Sequence, residues 1–228
     1  VFKVLGQRGI GLSTLVRGDQ QEAGAIGFYL AFKLLDKILL PDKDTFILPL
    51  DECTNFLESL AASEGSELSK SQRADLLVIH TDSSSITFKA IEVKCYGLVA
   101  EEKQSKPEIG SARLSAAIKQ LAASQNLLEE VVQAWQNRES EDCYLAANAL
   151  ALLIETAMRL SRDGVGDQTR ASQLLENILK CEVKLEVDEP LLAYFVLSED
   201  QEDFRVARKV SGEVLHSELI ANPRAILE

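Results

Sequence analysis

The sequence is poor in the residues that bind zinc. Its 228 residues include two histidines and four widely separated cysteines, with no Cys-x-x-Cys pair. A zinc site is therefore not expected, and the cysteines are interpreted as reduced thiols of a cytoplasmic protein. The cysteines are Cys53, Cys95, Cys143 and Cys181.

Long hydrophobic runs are also lacking. No apolar segment approaches the ~20 residues that a membrane-spanning helix needs, and no signal-peptide pattern is visible. The composition, 46% hydrophobic and 26% charged, is that of an ordinary globular protein. We therefore expect no membrane association. Because the chain begins at Val1 and not at Met, we expect it to be a piece of a longer protein.

Basic residues are outnumbered by acidic ones. The chain has 24 Lys and Arg against 36 Asp and Glu, a net charge of −12. Affinity for DNA comes mostly from Lys and Arg that neutralise phosphates. The composition thus argues against strong DNA binding by this chain alone, although a local basic patch or another domain could supply the affinity.

A glycine-rich segment near the start, GQRGIGLST, has Gly6 and Gly11 at the spacing of a phosphate-binding P-loop. Leu12 stands where that loop needs a lysine, and leucine cannot supply the charge that contacts phosphate. The segment is therefore interpreted as a flexible loop and not as an ATP site.

The most informative stretch is RADLLVIHTDSSSITFKAIEVKCYG, which begins at Arg73. It predicts two strands, Asp75 to His80 and Ile86 to Cys95, joined by a turn of small polar residues. Because side chains alternate between the two faces of a strand, Glu92 and Lys94 share one face of a strand that is otherwise largely apolar. Buried charge costs several kcal/mol per ion unless it is paired or metal-bound. Such a placement indicates a functional site.

Asp75, a hydrophobic strand, a turn and then Glu92-Val93-Lys94 resemble the Asp…Glu-x-Lys signature of the PD-(D/E)xK, or restriction-endonuclease-like, nuclease superfamily. The resemblance covers roughly Gly18 to Trp135. Ala74 stands where the family usually has a proline. The resemblance implies an α/β fold in which helices lie on both faces of a mixed central β-sheet. The C-terminal strands are expected to add a β-hairpin that extends the sheet or forms a small appendage.

The resemblance also implies a metal-dependent DNA endonuclease domain that hydrolyses phosphodiester bonds. Asp75 and Glu92 would be carboxylate ligands of Mg²⁺ or Mn²⁺, and the backbone carbonyl of Val93 would be a third ligand. Lys94 would orient or deprotonate the attacking water and contact the scissile phosphate.

A further acidic candidate lies on a helix predicted from Asp19 to Leu40. Glu22 projects from the start of the apolar face of this helix. It either reaches the metal site, as the resemblance implies, or interacts favourably with the helix dipole. Gln21 would take its place if the helix were rotated.

A polar candidate lies on a long helix predicted from Ser111 to Asn137. The family often has a polar residue facing the site from the helix after the Glu-x-Lys strand. Gln120 is the candidate and Lys119 the alternative, and a solvated helix face explains either equally well.

Three other residues of the central stretch have simpler interpretations. Arg73 either touches phosphates or is a solvated arginine. His80 is interpreted as a strand-end residue and not as a catalytic base, and Cys95 as part of the core.

The rest of the chain predicts an alternation of helices and strands. A helix near residues 141–162 is apolar nearly all round and is expected to be largely buried. The segment CEVKLEVDE alternates strictly and predicts an antiparallel strand with one wet face. The other predicted elements are strand Thr45–Leu50, helix Asp51–Ala62, helix Asp167–Lys180 and a hairpin of Leu191–Leu197 with Phe204–Val210. Residues 1–180 are expected to form the nuclease-like domain, and residues 181–228 a β-rich extension or the start of an adjoining domain.

The family resemblance implies a context as well. Such domains are commonly fused to ATPase or helicase modules in prokaryotic DNA restriction, defence and repair proteins, so DNA and modules of that kind are the expected partners. The alternative is a catalytically inactive module that keeps the nuclease fold for protein or DNA binding, an interpretation that the acidic composition favours.

Overall fold

The computed structural model describes residues 31, 33, 44–61, 72–96, 111–138, 143–160, 168–196, 204–211 and 214–221. The predicted helix Asp19–Leu40 lies outside these ranges except for Ala31 and Lys33, which are helical. Ala31 is fully buried. The glycine-rich N-terminal segment also lies outside the described residues.

The described elements alternate between strands and helices in an α/β order. None of the described helices is long and apolar enough to cross a membrane. In chain order the elements are β1 (Thr45–Pro49), α1 (Leu50–Ala61), β2 (Leu76–Thr81), β3 (Ser85–Tyr96), α2 (Ser111–Gln136), α3 (Cys143–Leu160), α4 (Gln168–Leu179), β4 (Lys184–Val187), β5 (Leu191–Val196), β6 (Phe204–Ser211) and β7 (Val214–Ala221).

All of these strands belong to one mixed sheet, with the order β1-β2-β3-β5-β7-β6. Strands β1, β2 and β3 are antiparallel neighbours, β5 and β7 continue the sheet in parallel, and β6 is antiparallel to β7. Strand β4 pairs in parallel with the first half of β3 and β5 with its second half. The predicted α/β fold with a mixed sheet flanked by helices is confirmed.

The core lies between the helices and one face of this sheet. Leu77 and Ile79 of β2 pair with Ala90 and Phe88 of β3, and all four are fully buried in the same cluster as residues of α1 to α4. Leu76 and Val78, which alternate with these residues on β2, are buried on the opposite face. Burial on both faces explains the unbroken aliphatic run of β2, which would alternate with polar residues in a half-exposed strand.

The pairing of the C-terminal strands differs from the prediction. The strand within CEVKLEVDE is β4, and it is parallel to β3, not antiparallel. Strands β5 and β6 do not form a hairpin with each other, because β7 lies between them, and the hairpin is β6–β7. Period-two alternation identifies a strand and its wet face, but it is the same for parallel and antiparallel partners.

Helix α3 is less buried than its composition predicts. Its side chains Tyr144, Leu145 and Leu152 are 70%, 77% and 50% exposed, whereas Leu150 and Ile154 are fully buried. The helix packs along one side only, so the expectation that it is largely buried all round was wrong for its outer side.

Two of the cysteines are paired. Cys143, at the start of α3, forms a disulfide with Cys181, which follows α4, and their Cα atoms are 6.6 Å apart. Cys181 has a φ of 58° and closes α4 with a left-handed turn, in which its N–H donates to the Ile178 carbonyl. The interpretation of all cysteines as reduced thiols was wrong for this pair. The two cysteines are 38 residues apart and come into contact only when α3 and α4 pack together, so the sequence alone did not indicate their pairing.

We expect reduction of this disulfide to destabilise the domain. Closing a loop of 38 residues removes conformational entropy from the unfolded chain, and the loss of the bond costs about 4 kcal/mol on the chain-entropy model. Urea denaturation with and without dithiothreitol measures the effect. In a Cys143→Ala/Cys181→Ala variant the reductant should change nothing, and an equal midpoint for the oxidised and reduced wild-type chain would contradict the prediction.

Candidate active site

Two carboxylates meet at the end of the β2–β3 ladder. The last pair of that ladder is Leu76 with Ile91, so Asp75 and Glu92 occupy the next opposed positions. Opposed residues of antiparallel strands place their side chains on the same face. The Val93 N–H donates a hydrogen bond of 2.8 Å to Asp75 Oδ2, so the side chain of Asp75 continues the ladder just before β2 begins.

Glu92 is completely buried on the helix side of the sheet. Its Oε1 accepts a hydrogen bond from Lys94 Nζ, while its Oε2 is buried and has no hydrogen-bond partner among the described residues. Burial, together with repulsion from Asp75, raises the pKa of Glu92 to about 8, although the Lys94 ammonium opposes the shift. Within the described part of the chain, the site therefore has a buried acidic oxygen that no donor satisfies.

Asp75 is shifted in the same direction. Burial raises the pKa of Asp75, and the negative charge of Asp51 adds to the rise. The Val93 N–H and the Lys94 ammonium lower it in part. Two neighbouring carboxyl groups whose pKa values are both raised are typical of a site that binds a positive charge.

Lys94 and Gln120 complete the cluster. Lys94 Nζ lies 3.4 Å from Gln120 Oε1 as well as bonding Glu92, and the amide nitrogen of Gln120 donates to the Arg73 carbonyl at 3.2 Å. Lys119, the alternative on this helix, is exposed. Of the two candidates on α2, the structure brings Gln120 to the carboxylates.

The sequence did not single out two residues that contact this region, Ser124 and Asp51. Ser124 is fully buried on α2, and its hydroxyl accepts the Ala74 N–H at 2.8 Å. A proline at position 74 could not donate this bond. The available signal for Ser124 was its i+4 spacing from Gln120, which places both on one helix face. Asp51 lies in the first turn of α1, and its only signal was an acidic residue two positions after strand β1.

Arg73 forms ion pairs with two acidic residues of α1. Its guanidinium lies 3.5 Å from carboxylate oxygens of Asp51 and Glu58, and its side chain is only 14% exposed. The interpretation as a solvated arginine was therefore wrong. These ion pairs anchor the segment before Asp75 to α1.

The other candidate residues do not contact the carboxylates or lie outside the described residues. His80 is exposed near the end of β2 and hydrogen-bonds Thr45 Oγ1 through Nδ1 at 2.9 Å, far along the strand from Asp75. Glu22 and its alternative Gln21 lie outside the described residues. The side chain of Cys95 lies outside them as well.

No family model matches the chain, and neither the curated proteins nor the solved structures give a significant match. Within the described ranges, no group of three or more His, Cys, Asp and Glu side chains is arranged to hold a metal ion. The predicted ligand set has only two such side chains, Asp75 and Glu92, because its third member is the backbone carbonyl of Val93. The two carboxylates fit a cation, because burial raises the pKa of both and a bound positive charge would offset that rise, and because Glu92 Oε2 has no hydrogen-bond partner among the described residues.

Proposed function

We propose that this chain is a metal-dependent DNA endonuclease domain of the PD-(D/E)xK type. The observation that carries the proposal is the convergence of Asp75, Glu92 and Lys94 at the end of the β2–β3 ladder. A buried carboxylate beside a second one costs free energy unless a positive charge compensates both. Lys94 compensates one oxygen of Glu92, and a divalent cation would compensate the other oxygen of Glu92 and the carboxylate of Asp75.

Asp75, Glu92 and the Val93 carbonyl would hold Mg²⁺ or Mn²⁺. In an extended strand the N–H and C=O of one residue point to the same side. The Val93 N–H bonds Asp75, so the Val93 carbonyl also faces the Asp75 side of β3. Oxygen ligands of this kind suit Mg²⁺, which keeps several waters and needs few protein ligands. When bound, the cation would activate a water and stabilise charge on the phosphate oxygens.

The protein's own side chains would then orient the attacking water and move its proton. Lys94 Nζ lies beside Glu92 and is partly exposed, so it can contact both a phosphate oxygen and the attacking water. Gln120 limits the range of Lys94, because its amide nitrogen is fixed to the Arg73 carbonyl and its oxygen faces Nζ. Glu22 is proposed to assist through water or to hold a second metal.

We also propose that the sheet is a restriction-endonuclease-like core. The strand that follows Asp75 and the strand that carries Glu92 are antiparallel neighbours, with β1 and β5 on their outer sides. Helix α2, which carries Gln120, packs on the same face as Glu92. Both features fit the arrangement that the resemblance implies.

The proposed context is a larger prokaryotic restriction, defence or repair protein. The net charge of −12 leaves little general affinity for DNA, so an ATPase or helicase module would supply it. A DNA substrate in a prokaryotic cell implies a cytoplasmic location.

Nicking of supercoiled plasmid DNA tests the proposal. We expect the purified chain to convert the plasmid to open-circular or linear forms with Mg²⁺ or Mn²⁺ and to do nothing in EDTA, because the carboxylates act through the cation. Cleavage that persists in EDTA would indicate another mechanism or a contaminant. A folded protein that does not cleave with either metal would contradict the proposal.

The second candidate is an inactive module with the same fold, which the acidic surface favours. Calorimetric titration with Mn²⁺ separates the two functions. Heat of binding that Asp75→Asn abolishes supports the nuclease, whereas an intact fold without metal binding supports the inactive module.

A further inference from the structure

Two side chains of α2 hold opposite ends of one peptide group, the one that joins Arg73 to Ala74. Gln120 Nε2 donates to the Arg73 carbonyl at 3.2 Å, and Ser124 Oγ accepts the Ala74 N–H at 2.8 Å. The two helix residues are four apart and so project from one face about one turn from each other. A planar trans peptide directs its C=O and N–H in opposite directions, which lets both bonds form at once. We call this pair of bonds the peptide clamp.

The peptide clamp acts directly before Asp75. On the other side of that residue, the Leu50 N–H donates to the Asp75 carbonyl at 3.1 Å, and the Val93 N–H holds the carboxylate. The backbone before Asp75, the backbone after it and its side chain are thus each fixed by a different element. Of these contacts, only the peptide clamp sets the direction from which the chain enters Asp75.

Ser124 has no packing reason to be polar. It is completely buried on α2 between the equally buried Leu121 and Leu128. A buried hydroxyl costs free energy unless it is hydrogen-bonded, and an alanine would fill such a helix position without that cost. The hydroxyl accepts the Ala74 N–H, so the polar side chain is explained by the hydrogen bond that it makes to the backbone next to Asp75.

We propose that Ser124 is a positioning residue, which sets the metal-binding carboxylate of Asp75 through the Arg73–Ala74 peptide. This inference rests on the proposed function, because it assigns Ser124 a role in a metal site. Groups that orient metal ligands typically change metal affinity by 10–100-fold when they are removed. Ser124 touches neither substrate nor metal in this role.

Mn²⁺ titration of four forms of the full chain tests the proposal: wild type, Ser124→Ala, Ser124→Thr and Trp135→Phe. Trp135 is the matched control, because its Nε1 donates a buried 3.0 Å bond to the Val183 carbonyl from the same helix. It lies eleven residues from Ser124, about 16 Å along the axis. We expect Ser124→Ala to raise the Kd for Mn²⁺ about 10-fold. Ser124→Thr, which keeps the acceptor, and Trp135→Phe should stay near the wild-type Kd.

The outcomes separate the two proposals. If the wild type binds no Mn²⁺, the proposed function and the positioning role both fail. If the wild type binds and Ser124→Ala binds equally well, only the positioning role is overturned. An equal loss of affinity in Trp135→Phe also overturns it, because the effect would then follow from general destabilisation.

Amide hydrogen exchange in the metal-free protein gives a second measurement, which does not depend on whether Thr fits at position 124. Ser124→Ala should speed exchange of the Ala74 amide at least about 10-fold, because that N–H loses its acceptor. Trp135→Phe should leave it unchanged. An Ala74 amide as protected in Ser124→Ala as in the wild type would overturn the peptide clamp itself.

Discussion

Asp75→Asn will lower the metal-dependent cleavage rate by about 10³-fold or more and will weaken Mn²⁺ binding with it. The substitution removes a negative charge from the proposed cation site, and charge stabilisation by a bound metal is worth several kcal/mol, which corresponds to about three powers of ten. The fold should persist, because the asparagine oxygen can still accept the Val93 N–H that now bonds Asp75 Oδ2. Plasmid nicking and Mn²⁺ calorimetry measure the two effects.

Two variants make this result specific. Glu129→Gln removes an exposed carboxylate of α2 and should cleave like the wild type. Lys94→Met removes the ammonium but neither carboxylate, so it should retain Mn²⁺ binding while the rate falls by about 10²–10⁴-fold, the usual contribution of a positioned proton-transfer group. Wild-type rates in both Asp75→Asn and Lys94→Met would remove the basis of the nuclease proposal.

Glu92→Gln will stabilise the metal-free domain, and the gain will grow with pH. The folded-state pKa of Glu92 is about 8, against 4.5 for an ordinary glutamate. Between these values the folded protein keeps a proton that the unfolded chain has lost, so the free energy of unfolding falls as pH rises. The stabilising contribution of this proton is complete below the unfolded value and lost as pH passes through about 8. Glutamine has no carboxyl group to ionise, so the variant does not lose this stability as pH rises.

The expected difference in unfolding free energy between Glu92→Gln and the wild type is on the order of 3–5 kcal/mol at the alkaline end. Urea denaturation in EDTA at several pH values from about 5 to 9 measures it. Glu129→Gln is the control and should follow the wild type. A difference that does not change with pH would contradict the burial of an ionisable Glu92. Saturating Mg²⁺ should narrow the gap, because a ligand of the folded state stabilises the wild type.

Much of the site could be predicted from local sequence. Strands β2 and β3 and the polar turn between them follow from side-chain alternation and turn chemistry, which involve neighbours along the chain. The same alternation placed Glu92 and Lys94 on one face, and the structure has them bonded there. The short turn then makes β2 and β3 antiparallel neighbours, so Asp75 falls opposite Glu92.

The choice among helix residues could not be predicted in this way. Gln120 and Lys119 are equally polar and adjacent, and only the rotation of α2 against the sheet turns Gln120 to Lys94 and leaves Lys119 exposed. Ser124 is an ordinary small residue in the sequence. It gains its role because packing brings it to the Ala74 N–H, fifty positions earlier in the chain.

The sequence by itself determined strands β1 to β6, helices α1 to α4 and the charged face of β3, because hydrophobic periodicity depends on a few neighbouring residues; it did not predict β7. Only the tertiary structure decided the parallel pairing of β4 and β5 with β3 and of β7 with β5, the pairing of Cys143 with Cys181 and the peptide clamp before Asp75. Each of these joins segments that are distant along the chain. Such contacts depend on how whole elements pack, and local patterns of residue type are the same whichever packing is adopted.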